Sequence, residues 1–195
     1  MNSARRRSAA PAEILKATQA LLLEAGVEGL SIRRVSERCG YSAPTIYHHF
    51  GDKRGLVAAL LEERFRSLYH AMAAVPKSDE PARHLREMAR AFVSFAVEHP
   101  AHYRLLMAPD LAPKEPVPSV FAARALVCED LAELDRRSHL ATSDLEAAFD
   151  VLWALLHGVI SLQIDGRRED LAKGLDELTF DVLEAGLLLR KQGTQ

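Results

Sequence analysis

The sequence predicts an all-α protein of about nine helices. Almost every periodic segment places apolar residues at helical spacing, and runs of alternating β-branched or aromatic residues bounded by turns are absent. Glycine and proline residues interrupt these segments and mark their ends. With 195 residues, of which 48% are hydrophobic, the chain can bury a core without disulfide support.

The first two helices are predicted from their end signals. Helix one covers "PAEILKATQALLLEAG", with Pro11 in its first turn and Gly26 at its end. Helix two, "IRRVSERC", follows Ser31, whose hydroxyl can cap it, and ends at Gly40. The second glycine also permits a tight turn before the next helix.

The next two helices complete a helix-turn-helix arrangement. Ser42 can cap a short third helix, and Asp52 can cap a longer fourth helix that Pro76 halts. Two short helices around a glycine turn, preceded by a supporting helix, match this DNA-binding motif. Ser36 is a small residue where the two short helices must approach, and Ile46 supplies apolar contact between them.

The chain beyond residue 76 divides into about five further helices, two of which are unusually apolar. Of the 20 residues 145–164, 14 are Ala, Val, Ile, Leu, Phe or Trp, so this helix must be covered on most sides. A last helix over about 169–190 carries many leucines together with Gly174 and Gly186, although each glycine costs a helix about 1 kcal/mol. Close approach of another helix explains these glycines.

Charge is distributed unevenly along the chain. Residues 1–55 hold nine basic and five acidic side chains, a net of +4, whereas the remaining 140 residues hold 16 basic and 22 acidic side chains, a net of −6. A basic N-terminal segment followed by an acidic remainder indicates that the N-terminal segment binds a polyanion. Arg5, Arg6 and Arg7 fit either a disordered, solvated tail or an arm that reaches phosphates or the minor groove.

The third helix carries side chains suited to a DNA groove. At 100° per residue, Ile46 and Phe50 point one way and pack, whereas Pro44, Thr45, Tyr47 and His48 spread over the opposite side. Hydroxyls and imidazoles can bond phosphates or base edges, and proline can touch thymine methyl groups. The exposed side of this helix is therefore a candidate reading surface.

Residues 30–62, "LSIRRVSERCGYSAPTIYHHFGDKRGLVAALLE", resemble the DNA-binding domain of TetR-family transcriptional regulators. The match includes the Thr-(Leu/Ile)-Tyr-x-(His/Tyr)-Phe run at 45–50 and the lysine that follows it. Two residues depart from the family pattern: Tyr41 replaces a small aliphatic residue, and Ser36 replaces alanine. Tyr41 is a further candidate for contact with the DNA backbone.

The resemblance implies a set of DNA contacts. They comprise phosphate anchors at the start of helix two, the recognition helix, and a phosphate contact at the start of helix four. The residues are Ser31, Arg33, Ala43, Pro44, Thr45, Tyr47, His48, His49 and Lys53. It further implies a DNA-binding domain over residues 1–55 and an effector-binding and dimerisation domain over residues 56–195.

The second part of the chain shows further resemblances. The apolar helices at 145–164 and about 169–190 look like the four-helix dimer interface of the family, although a monomer core is the alternative. "WALLHG" at 153–158 and "HPAHYRLLMAPD" at 99–110 resemble segments of one subgroup with a Trp-x-x-x-His-Gly element. An inducer pocket is implied, with lining candidates that ordinary core packing also explains. These are Phe65, Tyr69, Met72, Met88, Phe92, Phe95, Tyr103, Met107, Phe121, Trp153 and His157.

The motifs of enzymes and metalloproteins are missing from the sequence. It has no HExxH, GxSxG or P-loop motif, and His99 with His102 lack an evident third metal ligand, so we expect no cofactor or metal. Two distant cysteines, no signal peptide and no uninterrupted apolar run near the roughly 20 residues of a membrane span predict a soluble cytoplasmic protein.

We therefore expect a homodimeric repressor that binds a palindromic double-stranded DNA operator and is released by a small, largely apolar effector. We expect no membrane partner. A helical protein-interaction adaptor without DNA binding is the alternative, since all-α architecture serves that role equally well. The two functions differ at Tyr47 and Lys53, because an adaptor should lose nothing when they are replaced.

Overall fold

The structure, a computed structural model, describes residues 2–108, 111, 117–137, 139–164, 178–179 and 181–182, with side chains from residue 9 onward. These residues form eight helices and no strands, so the chain is all-α as predicted. The helices are α1 (Asn2–Ala25), α2 (Ile32–Cys39), α3 (Ala43–Phe50), α4 (Lys53–Ala73), α5 (Pro81–Glu98), α6 (Pro100–Leu106), α7 (Pro118–Arg136) and α8 (Leu145–Ile164). The predicted ninth helix, at about 169–190, lies outside the described residues except for four helical positions at 178–179 and 181–182.

The first compact unit, called the head below, comprises Met1–Arg66 together with Ala101–Pro118. Its core collects buried apolar side chains from α1 to α4 and from the segment that contains α6. They are Ala10, Ile14, Leu15, Ala17, Leu21, Leu22, Leu30, Val35, Ile46, Leu56, Leu60, Leu61, Leu105 and Leu111. Leu105 and Leu111 thus pack with the head, although they follow the predicted boundary at residue 55. The functional division at that boundary stays a prediction, because packing does not show where a function divides.

The ends of α2 and α3 follow their predicted signals. The Ser31 hydroxyl accepts the Arg34 backbone N–H at 3.3 Å, and the Ser42 hydroxyl accepts the Thr45 backbone N–H at 3.4 Å. Gly40 follows α2 with φ of 72°, in the left-handed region that only glycine adopts readily. Local sequence therefore fixes both short helices and the turn between them.

Helix α1 begins earlier than predicted, at Asn2 rather than near Pro11, which lies inside it. A proline in a helix interior removes a hydrogen bond and costs about 3 kcal/mol. The residues before it are mostly alanine and arginine, which favour helix, and Ala10 is buried in the head core. Packing of this segment thus outweighs the proline. The backbone at residues 5–7 is helical, and the three arginine side chains there lie outside the described part of the chain.

The second compact unit, called the body below, comprises Ser67–Pro100 together with Ser119–Gln195. Within it α5 packs against α8, which buries one face made of Ala148, Leu152, Leu156, Val159 and Ile160. A buried polar contact joins α5 to α7, where His84 Nδ1 lies 2.6 Å from Asp130 Oδ2. Burial raises the pKa of Asp130, and the hydrogen bond and charge of His84 oppose this rise without cancelling it.

Helix α8 is the one helix in the described part of the chain that is long and apolar enough to cross a membrane. The prediction of no membrane span relied on uninterrupted apolar runs, and the sequence analysis assigned residues 145–164 to a helix that protein covers on most sides. Length and composition of this kind also occur in helices that protein covers on several sides. In the described residues, one face of α8 packs against α5.

Candidate nucleic-acid interface

Helix α3 has an exposed side because Ile46 fixes the side that faces inward. Ile46 is fully buried, and Phe50 packs against the same core. Most of the predicted DNA contacts on this helix lie on the other side, where Tyr47 is 51% exposed. The exposed residues are Pro44, Tyr47, His48 and His49. An anchored helix with exposed hydroxyl and imidazole groups can enter a groove without rearranging its own packing.

The first turn of α3 holds the other two predicted contacts, Ala43 and Thr45, which are half-buried. The Thr45 hydroxyl lies 2.9 Å from the Ser42 hydroxyl. At the other end of α3 the rings of His48 and His49 meet edge to face with centroids 5.3 Å apart. The helix therefore offers small groups at its start and ring groups further along.

The start of α2 carries the predicted phosphate anchors Ser31 and Arg33. The Ser31 hydroxyl is engaged as the cap of α2. The Arg33 side chain is largely exposed and forms an ion pair with Glu37 at 2.9 Å. An exposed pair of this kind contributes little stability. The guanidinium can therefore exchange Glu37 for a phosphate.

The start of α4 carries Lys53, whose contact with a DNA phosphate stays a prediction. This residue is half-buried, and its Nζ donates to the backbone carbonyl of Val27 at 2.8 Å. The neighbouring Arg54 side chain is 82% exposed, with its Nε 4.0 Å from Asp52. Lys53 thus has a structural partner, and Arg54 is a candidate phosphate contact that the sequence reasoning missed. The signal for it was a second basic residue at the start of a helix that follows the motif.

Two other basic side chains of the head hold α2 in place. Arg34 donates to the Gly29 carbonyl at 2.5 Å, and Arg38 pairs with Glu24 of α1 at 2.8 Å. The net charge of +4 over residues 1–55 therefore overstates the number of cations that are free to meet DNA.

The turn between α2 and α3 is held by two bonds that the sequence does not reveal. The Ser36 hydroxyl donates to the Tyr41 carbonyl at 2.7 Å, and the Tyr41 hydroxyl donates to Glu13 Oε2 at 2.7 Å. The Tyr41 ring also packs against the head core. Contact of Tyr41 with the DNA backbone stays a prediction, and its hydroxyl has a partner within the head.

Three of the predicted effector contacts lie together in the body. The ring centroids of Phe92 and Trp153 are 5.6 Å apart, and those of Trp153 and His157 are 5.9 Å apart with planes 20° from parallel. The stack on α8 follows from the spacing of the two residues, which places them one turn apart on the same side. This cluster combines aromatic surface with one imidazole.

The remaining predicted effector contacts vary in burial, and their role stays a prediction. Phe65 packs against the head core, and burial raises the pKa of Tyr103. Phe121 is 58% exposed on α7, so ordinary core packing does not explain it. The buried members are Met72, Met88, Phe95 and Tyr103, and the half-buried members are Phe65, Tyr69 and Met107.

Two family descriptions match the chain. Residues 14–60 match "Bacterial regulatory proteins, tetR family", and residues 85–185 match "Tetracyclin repressor-like, C-terminal domain". The chain belongs to the TetR family. This family is one of bacterial regulatory proteins, which agrees with the prediction that the chain is not an enzyme. The resemblance inferred from residues 30–62 is confirmed, whereas the subgroup with the Trp-x-x-x-His-Gly element stays a prediction.

Individual relatives agree with this TetR-family assignment. The chain is 28% identical to the HTH-type transcriptional repressor AcnR from Corynebacterium diphtheriae over 183 residues, which is 88% of each protein. It is 37% identical to the tetracycline repressor protein class A from transposon 1721 of Escherichia coli over 73 residues, which is 37% of this chain and 33% of that protein. Several curated relatives are thus matched over only 27% to 42% of their length.

A solved structure shows the same fold. A TetR family transcription regulator from Marinobacter aquaeolei VT8 superimposes with a TM-score of 0.75 at 15% identity, over 94% of this chain and 97% of that chain. At this identity the likeness concerns the fold alone.

Proposed function

We propose that this TetR-family regulator is a cytoplasmic homodimeric repressor. It binds a palindromic double-stranded DNA operator, occludes a promoter, and leaves the operator when a small, largely apolar effector binds. The observation that carries DNA binding is the exposed side of α3, where Tyr47, His48 and His49 project from a helix anchored by Ile46. Base readout needs side chains held in a fixed geometry, which such an anchor provides.

The proposed contacts divide by position into readers and anchors. Helix α3 enters the major groove and its side chains reach base edges, as in other helix-turn-helix proteins. Arg33 at the start of α2 and Arg54 at the start of α4 are exposed cations that flank α3 in sequence, and they are the proposed phosphate contacts. Lys53 joins them if it releases the Val27 carbonyl.

Dimerisation is supported by an apolar stripe on α8 that the described residues of the body leave exposed. Val151, Leu155 and Leu162 are exposed by 46%, 38% and 43%. With Gly158 they fall within an arc of about 60° on the helix, beside the face that packs against α5. Exposed apolar residues in one stripe indicate a surface that another protein covers.

Gly158 supplies a second argument for the same surface. A methyl group at this position would meet no atom within 4 Å apart from the neighbouring backbone of its own helix, so packing within the described chain does not require a glycine. The residue nonetheless weakens the helix by about 1 kcal/mol relative to alanine. Close approach of α8 from a second copy explains why the position lacks a side chain. A symmetric dimer also supplies the two recognition helices that successive major grooves, roughly 34 Å apart, require.

The proposed effector site is centred on Phe92, Trp153 and His157. Their adjoining rings offer an apolar surface with one polar group, which suits a small apolar ligand. Helix α4 is continuous from the head, where it begins at Lys53, into the body, where it ends at Ala73. It is the proposed link between the two sites. By linkage, an effector that releases DNA must bind more weakly to the DNA-bound protein.

The first experiment tests DNA binding itself. The wild-type protein is used to select duplexes from random-sequence DNA, and the enriched duplex is then titrated at two salt concentrations. Tyr47→Ala should lower the affinity about tenfold to a hundredfold, since one good base contact contributes about 1–3 kcal/mol. Leu23→Ala is the matched control, because Leu23 is an exposed apolar residue of the head outside the proposed surface.

Two outcomes would contradict the proposal. One is the absence of any enriched duplex for the wild-type protein. The other is equal affinity of the Tyr47→Ala and wild-type proteins, with both dimeric and helical. Loss of the dimer in Tyr47→Ala would instead show that this residue was assigned to the wrong surface.

A further inference from the structure

One residue, Tyr41, fastens the turn between α2 and α3 from two sides. Its carbonyl accepts the Ser36 hydroxyl at 2.7 Å, and its own hydroxyl donates to Glu13 Oε2 at 2.7 Å. The first bond reaches back into α2, and the second spans 28 positions to reach α1. Tyr41 therefore connects α1 and α2 at the point where α3 begins.

Tyr41 also stands immediately before the residue that caps α3. The cap is Ser42, so Tyr41 occupies the position whose side chain sets the angle at which the chain enters a helix. Its ring packs against the core that contains Ile46, the fourth residue of α3 and the usual apolar partner of that position. The ring and the hydroxyl together constrain the direction of α3.

We propose that Glu13, Tyr41 and Ser36 form a clamp that positions α3 for operator binding without touching the DNA. The proposal rests on the proposed function, because it concerns the affinity of the head for an operator. These are positioning residues, since they act through the orientation of α3. The clamp is a feature of this chain, because the pattern inferred from the sequence has a small aliphatic residue and alanine at the positions of Tyr41 and Ser36.

The clamp acts on affinity through preorganisation. All base contacts of α3 depend on where its first turn is held, and a head that samples other orientations binds with an affinity reduced by the competent fraction. One net hydrogen bond corresponds to about three- to tenfold in such an equilibrium. Non-specific binding depends on charge and not on the register of α3, so the clamp should leave it unchanged.

The test compares variants of the full chain on two duplexes. One is the duplex that wild-type protein enriches from random-sequence DNA, and the other is a scrambled duplex of the same composition. Tyr41→Phe removes only the hydroxyl, and Glu13→Ala removes its acceptor together with one charge. Glu28→Ala is the matched control, because it removes the same charge from an exposed residue of the head.

All titrations are made well below the unfolding temperature. Tyr41→Phe should lower the affinity for the enriched duplex about three- to tenfold. Glu13→Ala should lower it by the same factor relative to Glu28→Ala. The double variant of Tyr41→Phe and Glu13→Ala should lose no more affinity for the enriched duplex than either single variant, because both changes remove the same bond. The scrambled duplex should show no difference between wild type and Tyr41→Phe, or between Glu13→Ala and Glu28→Ala.

A second variant tests the other half of the clamp. Ser36→Ala removes the bond to the Tyr41 carbonyl and keeps the side chain small, so α2 and α3 can still approach. It should lower the affinity for the enriched duplex by about three- to tenfold and leave the affinity for the scrambled duplex unchanged. Circular dichroism and light scattering confirm that each variant is helical and has the oligomeric state of the wild type.

Five results would overturn the clamp. The first is Glu13→Ala behaving like Glu28→Ala on the enriched duplex, and the second is additive losses in the double variant. The third is a lower unfolding temperature with unchanged affinities, which a purely structural role produces. Wild-type protein that enriches no duplex overturns the proposed function and the clamp together. If Tyr41→Phe binds the enriched duplex as tightly as the wild type does, the clamp alone is overturned.

Discussion

Replacing Leu155 tests the proposed dimer face in a quantitative way. This residue is 38% exposed at the centre of the uncovered stripe on α8. Fully burying a leucine contributes about 2 kcal/mol, so covering the remaining exposed part contributes about 0.8 kcal/mol per copy and about 1.5 kcal/mol in a symmetric dimer. Leu155→Ala should therefore weaken the dimer by up to about tenfold. Leu155→Asp should weaken it by about a hundredfold or more, because it also buries two unpaired carboxylates.

The assay is sedimentation velocity over a concentration series, with helix content checked by circular dichroism. Leu23→Asp is the control, because Leu23 is 45% exposed on α1 and belongs to the head. Exposure alone would make this control the more disruptive of the two, so a dimer lost only in Leu155→Asp identifies the α8 stripe. A dimer of wild-type strength in Leu155→Asp, with intact helix content, would refute the reasoning.

Three further predictions concern the body. Gly158→Leu should raise the helix propensity of α8 by somewhat less than 1 kcal/mol and yet weaken the dimer, as measured by sedimentation velocity. A dimer of unchanged strength, together with higher stability in urea denaturation, would show that Gly158 faces solvent. Trp153→Ala should abolish release of the enriched duplex by the effector. In mobility-shift titrations without effector, this variant should bind the duplex as tightly as the wild type. A lower affinity without effector, with the dimer intact, would contradict the prediction. Because burial raises the pKa of Asp130, the folded chain holds this proton to a higher pH than the unfolded chain, so stability should fall as the pH rises from the ordinary value through the raised one. Asp130→Asn should flatten this part of the pH–stability curve in urea denaturation, and an unchanged curve would show that Asp130 does not produce it.

The helix-turn-helix motif could be predicted in detail because its signals are local. Ser31 and Ser42 cap helices through bonds to residues three positions later, and Gly40 supplies the one backbone conformation that the turn requires. The start of α1 could not be predicted in this way. Pro11 is a sound local signal for a helix start, but burial of Ala10 in the head core extends the helix past it. Tertiary packing decides such conflicts.

Part of the candidate site could likewise be predicted from local sequence, and part depends on distant residues. The exposed side of α3 followed from helical periodicity once Ile46 was assigned to the core. The engagement of Lys53 with the Val27 carbonyl and of Tyr41 with Glu13 did not follow, because their partners lie 26 and 28 positions away. No spacing rule connects residues at such separations.

The sequence by itself determined the all-α class, the helix-turn-helix head and membership in the TetR family, because periodicity, capping and the motif at residues 45–50 are properties of short segments. Only the tertiary structure decided which polar side chains of the head are already bound to protein, and which face of α8 the described residues leave exposed. Those outcomes depend on which distant segments share a core. A side chain that the core has engaged is no longer free for a ligand, and a helix face that the core has not covered remains available to a partner.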